Sequence, residues 1–420
     1  MPAKGVDAVG DLPEQEGPPP GPSAGAVDGA VDGAGYDVVV VGGGVIGLSV
    51  GWWAARTGRS VAVCDPAPGQ GSSWAAAGML APLSEASPVE AHLYPLAADS
   101  LRRWPAFAAA LAEDGGGDVG LRTDGTLVVA AGDDDRRALA ELRDRMAAFD
   151  PPGRWLGGGA CRRLEPALHP GVRGGFEVPG DLQVDNRAVL AALQSALATR
   201  QGELIRSAVV AVELAGAGAG AGGGGGRLAG GRHRVHLEGG ATVEAGWLVL
   251  ATGAGGHPIG GVPAACQPPV RPVRGDIVRL QGHPDEPVLE RVVRAQVDGR
   301  HVYLVPRRNG QVVVGATSEE GGYRTTSRAG AVHDLLHDAL TVVPELAELE
   351  LAEVCARLRP ATPDNAPVLG PTAADKVAVA AGHYRNGFLL APVTAAAVVA
   401  TVCNEEMPAA AAACGAGRFG

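Results

Sequence analysis

Two arginines in the last third of the chain carry the side chains best suited to hold a carboxylate. Arg359 follows Arg357 by two residues, and Arg385 lies in the polar segment 382–387. A planar guanidinium binds a carboxylate through two parallel hydrogen bonds. A lone arginine is more often a surface residue or part of a structural ion pair. Because Arg359 lies between two apolar neighbours, it is the better inward-facing candidate of the first pair.

A short apolar strand is predicted at 301–306, and it carries two polar rings, His301 and Tyr303. Alternate side chains of a strand share one face, so these two rings point together while Val302 and Leu304 point the other way. The pattern predicts a pocket wall. A solvated strand face is the alternative.

A dinucleotide-binding fingerprint begins the ordered part of the sequence. Gly42, Gly44 and Gly47 follow the buried strand 36–41, and Asp65 ends the next strand. We expect Gly42 to make the tight turn, Gly44 to let the backbone approach a pyrophosphate, and Gly47 to pack the helix on the strand. Phosphate would bind at the helix N-terminus, and Asp65 would accept the ribose hydroxyls. A glycine-rich turn in an ordinary βαβ unit is the alternative.

A run of small residues at 71–80 favours a close approach of the backbone to a bulky planar ligand. Ser72 and Ser73 could donate to phosphate. A capped, alanine-rich helix would give the same local sequence.

The segment 381–392 follows another buried strand and contains two glycines that bracket polar residues. Pro392 is expected near the start of a helix, where its missing N–H does no harm. The positive end of that helix would face the pyrimidine side of a flavin and stabilise the negative charge of the reduced ring.

The predicted elements form an α/β protein with a Rossmann-like nucleotide domain at both chain ends and an antiparallel-sheet domain inserted between them. Helices are expected at 45–57, 88–113, 133–148, 185–200, 328–342, 345–352 and 391–403. Strands are expected at 36–41, 60–65, 126–131, 208–214, 247–252 and 376–381, with an all-β stretch at 269–316 that contains a hairpin turning at Asn309-Gly310.

These elements divide into one discontinuous nucleotide domain, at 35–118, 170–265 and 355–404, and a substrate domain at 119–169 and 266–354. Residues 1–34 are rich in Pro, Gly and Ala and are predicted to be disordered, and residues 405–420 to form a flexible tail. The Gly/Ala tract 215–231 is expected to be a hairpin loop.

Composition excludes several classes of protein. The formal net charge of -11 argues against nucleic acid and requires that any carboxylate be captured by local arginines. The six cysteines are scattered, which argues against a zinc site or a disulfide framework and favours reduced thiols in a cytoplasmic protein. We expect no signal peptide and no membrane span.

Together these segments resemble the glycine oxidase family of thiamin biosynthesis, within the D-amino-acid oxidase superfamily, from about Tyr36 to Asn404. The resemblance implies the D-amino-acid oxidase type of FAD-binding fold with non-covalently bound FAD. Substrate-contacting positions would be Arg359, Arg385, Tyr303 and His301. Cofactor-contacting positions would be Gly42, Gly44, Val45, Ile46, Gly47, Asp65, Pro66, Ser72, Ser73, Ala77, Gly78, Met79, Val209, His383, Tyr384, Arg385, Asn386, Gly387, Phe388 and Leu389.

The resemblance also implies a reaction. A hydride would pass from the α-carbon of glycine to the flavin, giving an imine and then glyoxylate, ammonia and hydrogen peroxide. No residue would act as an acid or base, and no metal would be needed. The product would serve thiazole formation. Partners would be glycine, molecular oxygen and further copies of the chain, as a homo-oligomer and specifically a tetramer. Ser318 stands where some members carry a bulkier apolar residue, which bears on the size of the amine.

Alternatives stay open within and outside this fold. One is an oxidase or dehydrogenase for sarcosine, D-proline or a small D-amino acid. Another, of a different class, is a flavin-binding accessory subunit without turnover. A nicotinamide dehydrogenase is disfavoured by the 382–387 segment and the helix that follows it.

Overall fold

The computed structural model describes residues 32–85, 88–147, 153–215, 231–255 and 258–419. The predicted disordered extension therefore lies almost wholly outside the described residues, as does the centre of the Gly/Ala tract. The strands that flank this tract pair antiparallel with each other.

The described residues form helices and strands that alternate along most of the chain. The helices are α1 (Val45–Ala55), α2 (Ser72–Ala75), α3 (Tyr94–Glu113), α4 (Asp133–Met146), α5 (Gly158–Leu164), α6 (Asn186–Thr199), α7 (Ala329–Val342) and α8 (Gly387–Cys403). The strands are β1 (Ala34–Val41), β2 (Val61–Cys64), β3 (Met79–Leu80), β4 (Thr126–Ala130), β5 (Trp155–Gly157), β6 (Gly174–Val178), β7 (Leu182–Gln183), β8 (Glu203–Ile205), β9 (Val209–Glu213), β10 (His233–Leu237), β11 (Thr242–Leu250), β12 (Arg271–Gln281), β13 (Val292–Val297), β14 (Arg300–Pro306), β15 (Gln311–Gly315), β16 (Glu350–Ala361), β17 (Val368–Pro371) and β18 (Val377–Ala381).

One sheet brings the two ends of the chain together in the order β17-β18-β11-β1-β2-β8. Its central pairs are parallel, and the antiparallel strands β10 and β9 extend from β11. Helices α1, α3, α6 and α8 pack around one core. Because α1 is enclosed by this core, ten of its eleven residues are buried and its sequence is apolar on all sides.

Helix α8 begins earlier than predicted, at Gly387, so Pro392 lies inside it. A proline there removes the N–H that would bond to the carbonyl of Phe388. Trp104 of α3 donates its indole N–H to that carbonyl and to the carbonyl of Leu389, at 3.1 Å each. Ser100 also donates to the Leu389 carbonyl, at 2.6 Å. Helix α3 therefore supplies a donor to the Phe388 carbonyl in place of the N–H that Pro392 lacks.

The second sheet runs β16-β12-β15-β14-β13-β4-β6-β5 and is antiparallel except where β13 meets β4. The β14–β15 hairpin turns as the Asn-Gly pair predicted, with Gly310 at φ +80°. Helix α7 packs on the same core as these strands. The predicted fold class, a Rossmann-like sheet with an inserted and largely antiparallel sheet, is confirmed.

Two predicted boundaries between the parts need correction. Strand β6, placed in the nucleotide domain, pairs with β4 and β5 in the second sheet. Residues 350–352, predicted helical, begin strand β16, which starts in the substrate part, passes residue 355 and pairs with β12 over its whole length. Long-range pairing with β12 overrides the local helical pattern.

The C-terminal segment is also ordered, in contrast to the flexible tail predicted at 405–420. Ala411 and Cys414 are buried in a short 3-10 helix at Ala409–Cys414, and a second 3-10 helix follows at Ala416–Phe419. Arg418 forms an ion pair with Asp364 and donates to the Pro367 carbonyl at 2.9 Å. Its Ala/Gly-rich composition gave no sign of these distant partners.

Candidate active site

A cavity of about 590 Å³ opens between the two sheets, and both sheets contribute to its wall. Most of the predicted site residues line it. They are Gly44, Val45, Ile46, Ser72, Ser73, Ala77, Gly78, Met79, His301, Tyr303, Arg359, His383, Tyr384, Arg385, Gly387 and Phe388. The others lie outside the lining: Gly42, Gly47, Asp65, Pro66, Val209, Asn386 and Leu389.

The glycine loop at the start of α1 is packed too tightly for side chains. Gly42 has φ +107°, and a Cβ on it would lie 2.3 Å from the Ala251 carbonyl oxygen. A Cβ on Gly47 would lie 1.8 Å from the Gly42 carbonyl oxygen. These glycines sit behind the lining, and they allow the first turn of α1 to lie against the turn that precedes it.

Polar groups complete this loop at the helix N-terminus. Ser73 accepts a hydrogen bond from the Val45 N–H at 3.0 Å. Asp65 accepts from the Gly43 N–H at 2.6 Å and from the Ala67 N–H at 2.8 Å. The first turn of α1 has further N–H groups with no partner inside the helix. The loop is therefore shaped as a phosphate cradle, with a carboxylate at the end of β2.

The cavity segment 74–78 is held by two buried arginines that the sequence patterns did not single out. Arg279 donates to the carbonyls of Trp74 and Ala76 at 3.3 and 3.4 Å. Arg307 donates to the Ala77 carbonyl at 2.5 Å. Both arginines belong to the second sheet and its hairpin, so they tie this segment to the substrate side of the molecule. Only the tertiary structure identifies them, because an arginine in a strand is ordinarily exposed.

Arg359 lies on strand β16 with its guanidinium directly over Gly275 of β12. A Cβ on Gly275 would meet the guanidinium at 2.2 Å. One edge of the guanidinium is fixed, because Nη1 donates to the Thr317 carbonyl at 3.0 Å. Within the described ranges, no carboxylate lies within 4 Å of Arg359. Its charge is therefore available to a ligand in the cavity.

Tyr303 faces the same space from β14. Its hydroxyl would touch a Cβ on Gly315 at 2.4 Å, so the ring lies over that glycine. Burial raises the pKa of Tyr303 to about 12, which keeps the phenol protonated and able to donate. His301 also lines the cavity, as the strand alternation predicted, while Val302 and Leu304 are buried in the core of the second sheet and Val302 also borders the cavity.

Two ion pairs on the cavity wall neutralise the other predicted substrate arginine and one that the sequence did not identify. Arg385 pairs with Glu90 at 2.5 Å, and Arg294 pairs with Glu85 at 2.8 Å. Glu85 and Glu90 come from the stretch after β3, and no local pattern pointed to them. Arg385 thus lies at the predicted place with its charge already balanced.

The two histidines on the wall both have pKa values shifted in the direction that disfavours the charged form. Burial lowers the pKa of His383 to about 3, and its Nε2 lies 2.8 Å from the Thr394 hydroxyl. Burial, and then the charges of Arg294 and Arg385, lower the pKa of His301. The electrostatics of the cavity therefore depend on its arginines and glutamates.

The part of the chain that the structure describes contains no group of His, Cys, Asp and Glu side chains arranged to hold a metal ion. In that same part, no helix combines the length and apolar character needed to span a bilayer. All six cysteines are free thiols.

The residues present fit FAD. The tight glycine loop leaves room for a pyrophosphate at the N-terminus of α1, and Asp65 stands at the end of β2, where a ribose would lie. Gly78 has φ +70°, and a Cβ on it would lie 2.1 Å from the Val184 carbonyl oxygen, so the small-residue segment is closely packed against its support. Gly387 places the N-terminus of α8 at the cavity.

Known proteins share this architecture and sequence. Glycine oxidase from Geobacillus kaustophilus is 33% identical over 88% of this chain and 94% of its own length. The crystal structure of that enzyme superposes with a TM-score of 0.80, covering 92% of this chain and 99% of the other. A bifunctional ThiO/ThiG protein from Trichormus variabilis is 31% identical over 88% of this chain, which corresponds to 53% of that longer protein.

A family model described as FAD dependent oxidoreductase matches residues 37–401, which include both sheets and every residue discussed above as lining the cavity. The chain therefore belongs to the FAD dependent oxidoreductase family.

Proposed function

We propose that this protein is an FAD-dependent glycine oxidase that uses molecular oxygen as its acceptor and serves thiazole formation. The observation that carries the proposal is the unpaired Arg359 guanidinium. It is fixed beside the Tyr303 hydroxyl, in the same cavity that the glycine loop borders. The names of the relatives, glycine oxidase and ThiO/ThiG, support the choice of substrate and pathway. FAD is proposed to be bound non-covalently.

Substrate binding follows from the charges. Arg359 would form a bidentate pair with the substrate carboxylate through the edge that is not bonded to Thr317. Tyr303, whose phenol is protonated at neutral pH and whose pKa is raised further by burial, would donate a further hydrogen bond. Arg385 is already paired with Glu90, so it would help to orient the substrate rather than supply a free charge for the carboxylate. A small amino acid held at its carboxylate presents its α-carbon to the rest of the cavity.

The chemistry requires orientation rather than a protein base. Bound FAD supplies a two-electron acceptor for the hydride lost from the α-carbon. The amine must be neutral when that hydrogen leaves, and we assign no residue as general base. The N-terminus of α8 at Gly387 places a positive dipole end at the cavity, where it would stabilise negative charge. The cytoplasmic location and the tetrameric state remain predictions from the sequence.

The test is an anaerobic titration of the purified yellow protein with glycine, sarcosine, D-alanine and D-proline, following loss of flavin absorbance. Glycine should bleach the flavin with the highest second-order rate constant, and oxygen should restore the colour with release of peroxide. A faster reduction by sarcosine or D-proline would assign the enzyme to that substrate. No bleaching by any of them would favour the accessory-subunit alternative.

Arg359→Met tests the carboxylate site itself. Removing one partner of a partly buried charge pair costs at least about 2 kcal/mol, which corresponds to a rise of roughly thirtyfold or more in the Michaelis constant for glycine. FAD content should stay that of the wild type. Arg308→Met, an exposed arginine outside the cavity, is the control. An unchanged Michaelis constant in Arg359→Met would remove Arg359 from this role.

A further inference from the structure

A second unpaired guanidinium lies in the cavity next to Arg359. Arg357 lines the same wall. Its Nε donates to the Gln70 carbonyl at 3.0 Å and its Nη1 to its neighbour's carbonyl, from Ala356, at 2.9 Å. Nη2 has no hydrogen-bond partner among the described residues, and no described carboxylate lies within 4 Å of the side chain. Arg357 is thus held through Nε and Nη1 and keeps Nη2 for a ligand, whereas Arg359 is held through Nη1 alone.

The two arginines are alternate residues of strand β16, so they lie on one face with their Cα atoms roughly 7 Å apart. Gly275 is the residue directly across from Arg357 on β12, and the Arg359 guanidinium lies over it. Because Gly275 has no side chain, the Arg359 guanidinium can lie against β12, beside Arg357. The cavity wall therefore carries two neighbouring guanidinium groups, each of which could bind a carboxylate.

The charge balance of the cavity points the same way. The lining contains four arginines and two glutamates, and it contains no Asp or Lys. Glu85 and Glu90 each neutralise one arginine, and the pKa values of the two histidines are lowered, which disfavours their charged forms. Among the side chains of the lining, the positive charges of Arg357 and Arg359 remain without a carboxylate partner, and a substrate with a single carboxylate would pair with only one of them.

We propose that the site accepts amines carrying two carboxylates, one bound by Arg359 and the other by Arg357, and that iminodiacetate is a better substrate than its single-carboxylate counterpart sarcosine. Two carboxylates joined through three atoms span about 5 Å, within reach of both guanidiniums. The inference rests on the proposed oxidase function and narrows its substrate class.

The reaction keeps the same electron balance as with glycine. One α C–H bond breaks and its hydrogen leaves with the electron pair as a hydride, while the amine nitrogen releases its N–H proton as a carbon–nitrogen double bond forms in the substrate. Water hydrolyses this imine to glyoxylate and glycine. Oxygen takes up the two electrons together with the hydrogen of the hydride and one proton, and so becomes hydrogen peroxide.

Sarcosine and iminodiacetate differ only by the second carboxylate, which makes them a matched pair for kinetics. The wild-type enzyme should show a kcat/KM at least about tenfold higher for iminodiacetate, as expected for one charge-assisted pair at a half-buried site. Arg357→Met should abolish that preference and leave kcat/KM for sarcosine within about twofold. Equal losses with both substrates, or no loss with either, would overturn the proposal.

A binding measurement gives a readout that does not need turnover. Glutarate and butyrate, which also differ by one carboxylate, are titrated into the oxidised holoenzyme while the flavin absorbance is followed. We expect glutarate to bind about tenfold more tightly, with the difference lost in Arg357→Met and partly kept in Arg357→Lys. If no amine is oxidised but glutarate still binds preferentially through Arg357, the oxidase function fails and the two-guanidinium site stands.

If instead both Arg357 variants lose FAD, the arginine serves the cofactor and the proposal is wrong. FAD affinity, measured by adding the cofactor back to the apoprotein, decides this before any substrate is added.

Discussion

Asp181 offers a test of how the buried polar groups of this fold are ionised. The residue follows β6 and is 1% exposed, and neither carboxyl oxygen has a hydrogen bond of ordinary geometry among the described residues. Burial raises its pKa to about 7, against smaller opposing effects of the neighbouring Ser84 and Thr126 hydroxyls and the Arg294 charge. The carboxyl is therefore protonated in the folded protein at mildly acidic pH.

The consequence for stability follows from proton linkage. In the unfolded chain the group titrates near its ordinary value of 3.8, so the folded state alone holds the proton between about pH 4 and pH 7. A state that binds more protons is stabilised by lowering the pH, so this contribution is lost as the pH rises through that window. About three pKa units at 1.36 kcal/mol each give a change on the order of 4 kcal/mol.

Asp181→Asn removes the titration and keeps the shape of the side chain. The free energy of unfolding of the FAD-saturated protein is measured by denaturant titration from pH 4.5 to pH 8. Relative to the wild type, the asparagine variant should gain several kcal/mol across this range, with most of the change below pH 7.5. The exposed Asp134 is the control, and Asp134→Asn should leave the pH dependence as in the wild type. A difference between Asp181→Asn and wild type that does not vary with pH would refute a neutral carboxyl at this site.

Two further substitutions test the packing around the cofactor cavity. Gly78→Ala forces a Cβ to within 2.1 Å of the Val184 carbonyl oxygen at a positive φ. We expect the free energy of unfolding to fall by at least about 2 kcal/mol and FAD to bind more weakly, as measured by thermal unfolding and cofactor titration. Gly71→Ala, whose Cβ meets open space, is the control and should match the wild type. Trp104→Phe should lower the free energy of unfolding by about 1–3 kcal/mol, because it leaves the Phe388 carbonyl without a donor. The loss should be smaller in a Pro392→Ala background, where the helix restores that hydrogen bond. Equal losses in both backgrounds would exclude this role for the indole.

Local sequence predicted the parts of the molecule whose structure is set by neighbouring residues. The fingerprint from β1 to Asp65 was recognisable because a tight turn against a helix excludes side chains at Gly42 and Gly47, and this requirement shows in the residue types themselves. The Asn-Gly turn and the alternation of His301 with Tyr303 were recognisable for the same reason. Of the residues that these signals identified, Gly44, His301 and Tyr303 line the cavity.

Tertiary structure alone decided which charges in the cavity are free. The antiparallel register of β16 on β12 sets Arg359 over Gly275, and contacts between distant segments neutralise Arg385 with Glu90. Long-range contacts also bury Arg279 against the cavity segment 74–78. An ion pair depends on the separation of two atoms in space, and residues far apart along a chain give no local sign of that separation. The sequence thus identified the candidate arginines, and the fold determined which of them keep a positive charge for a ligand.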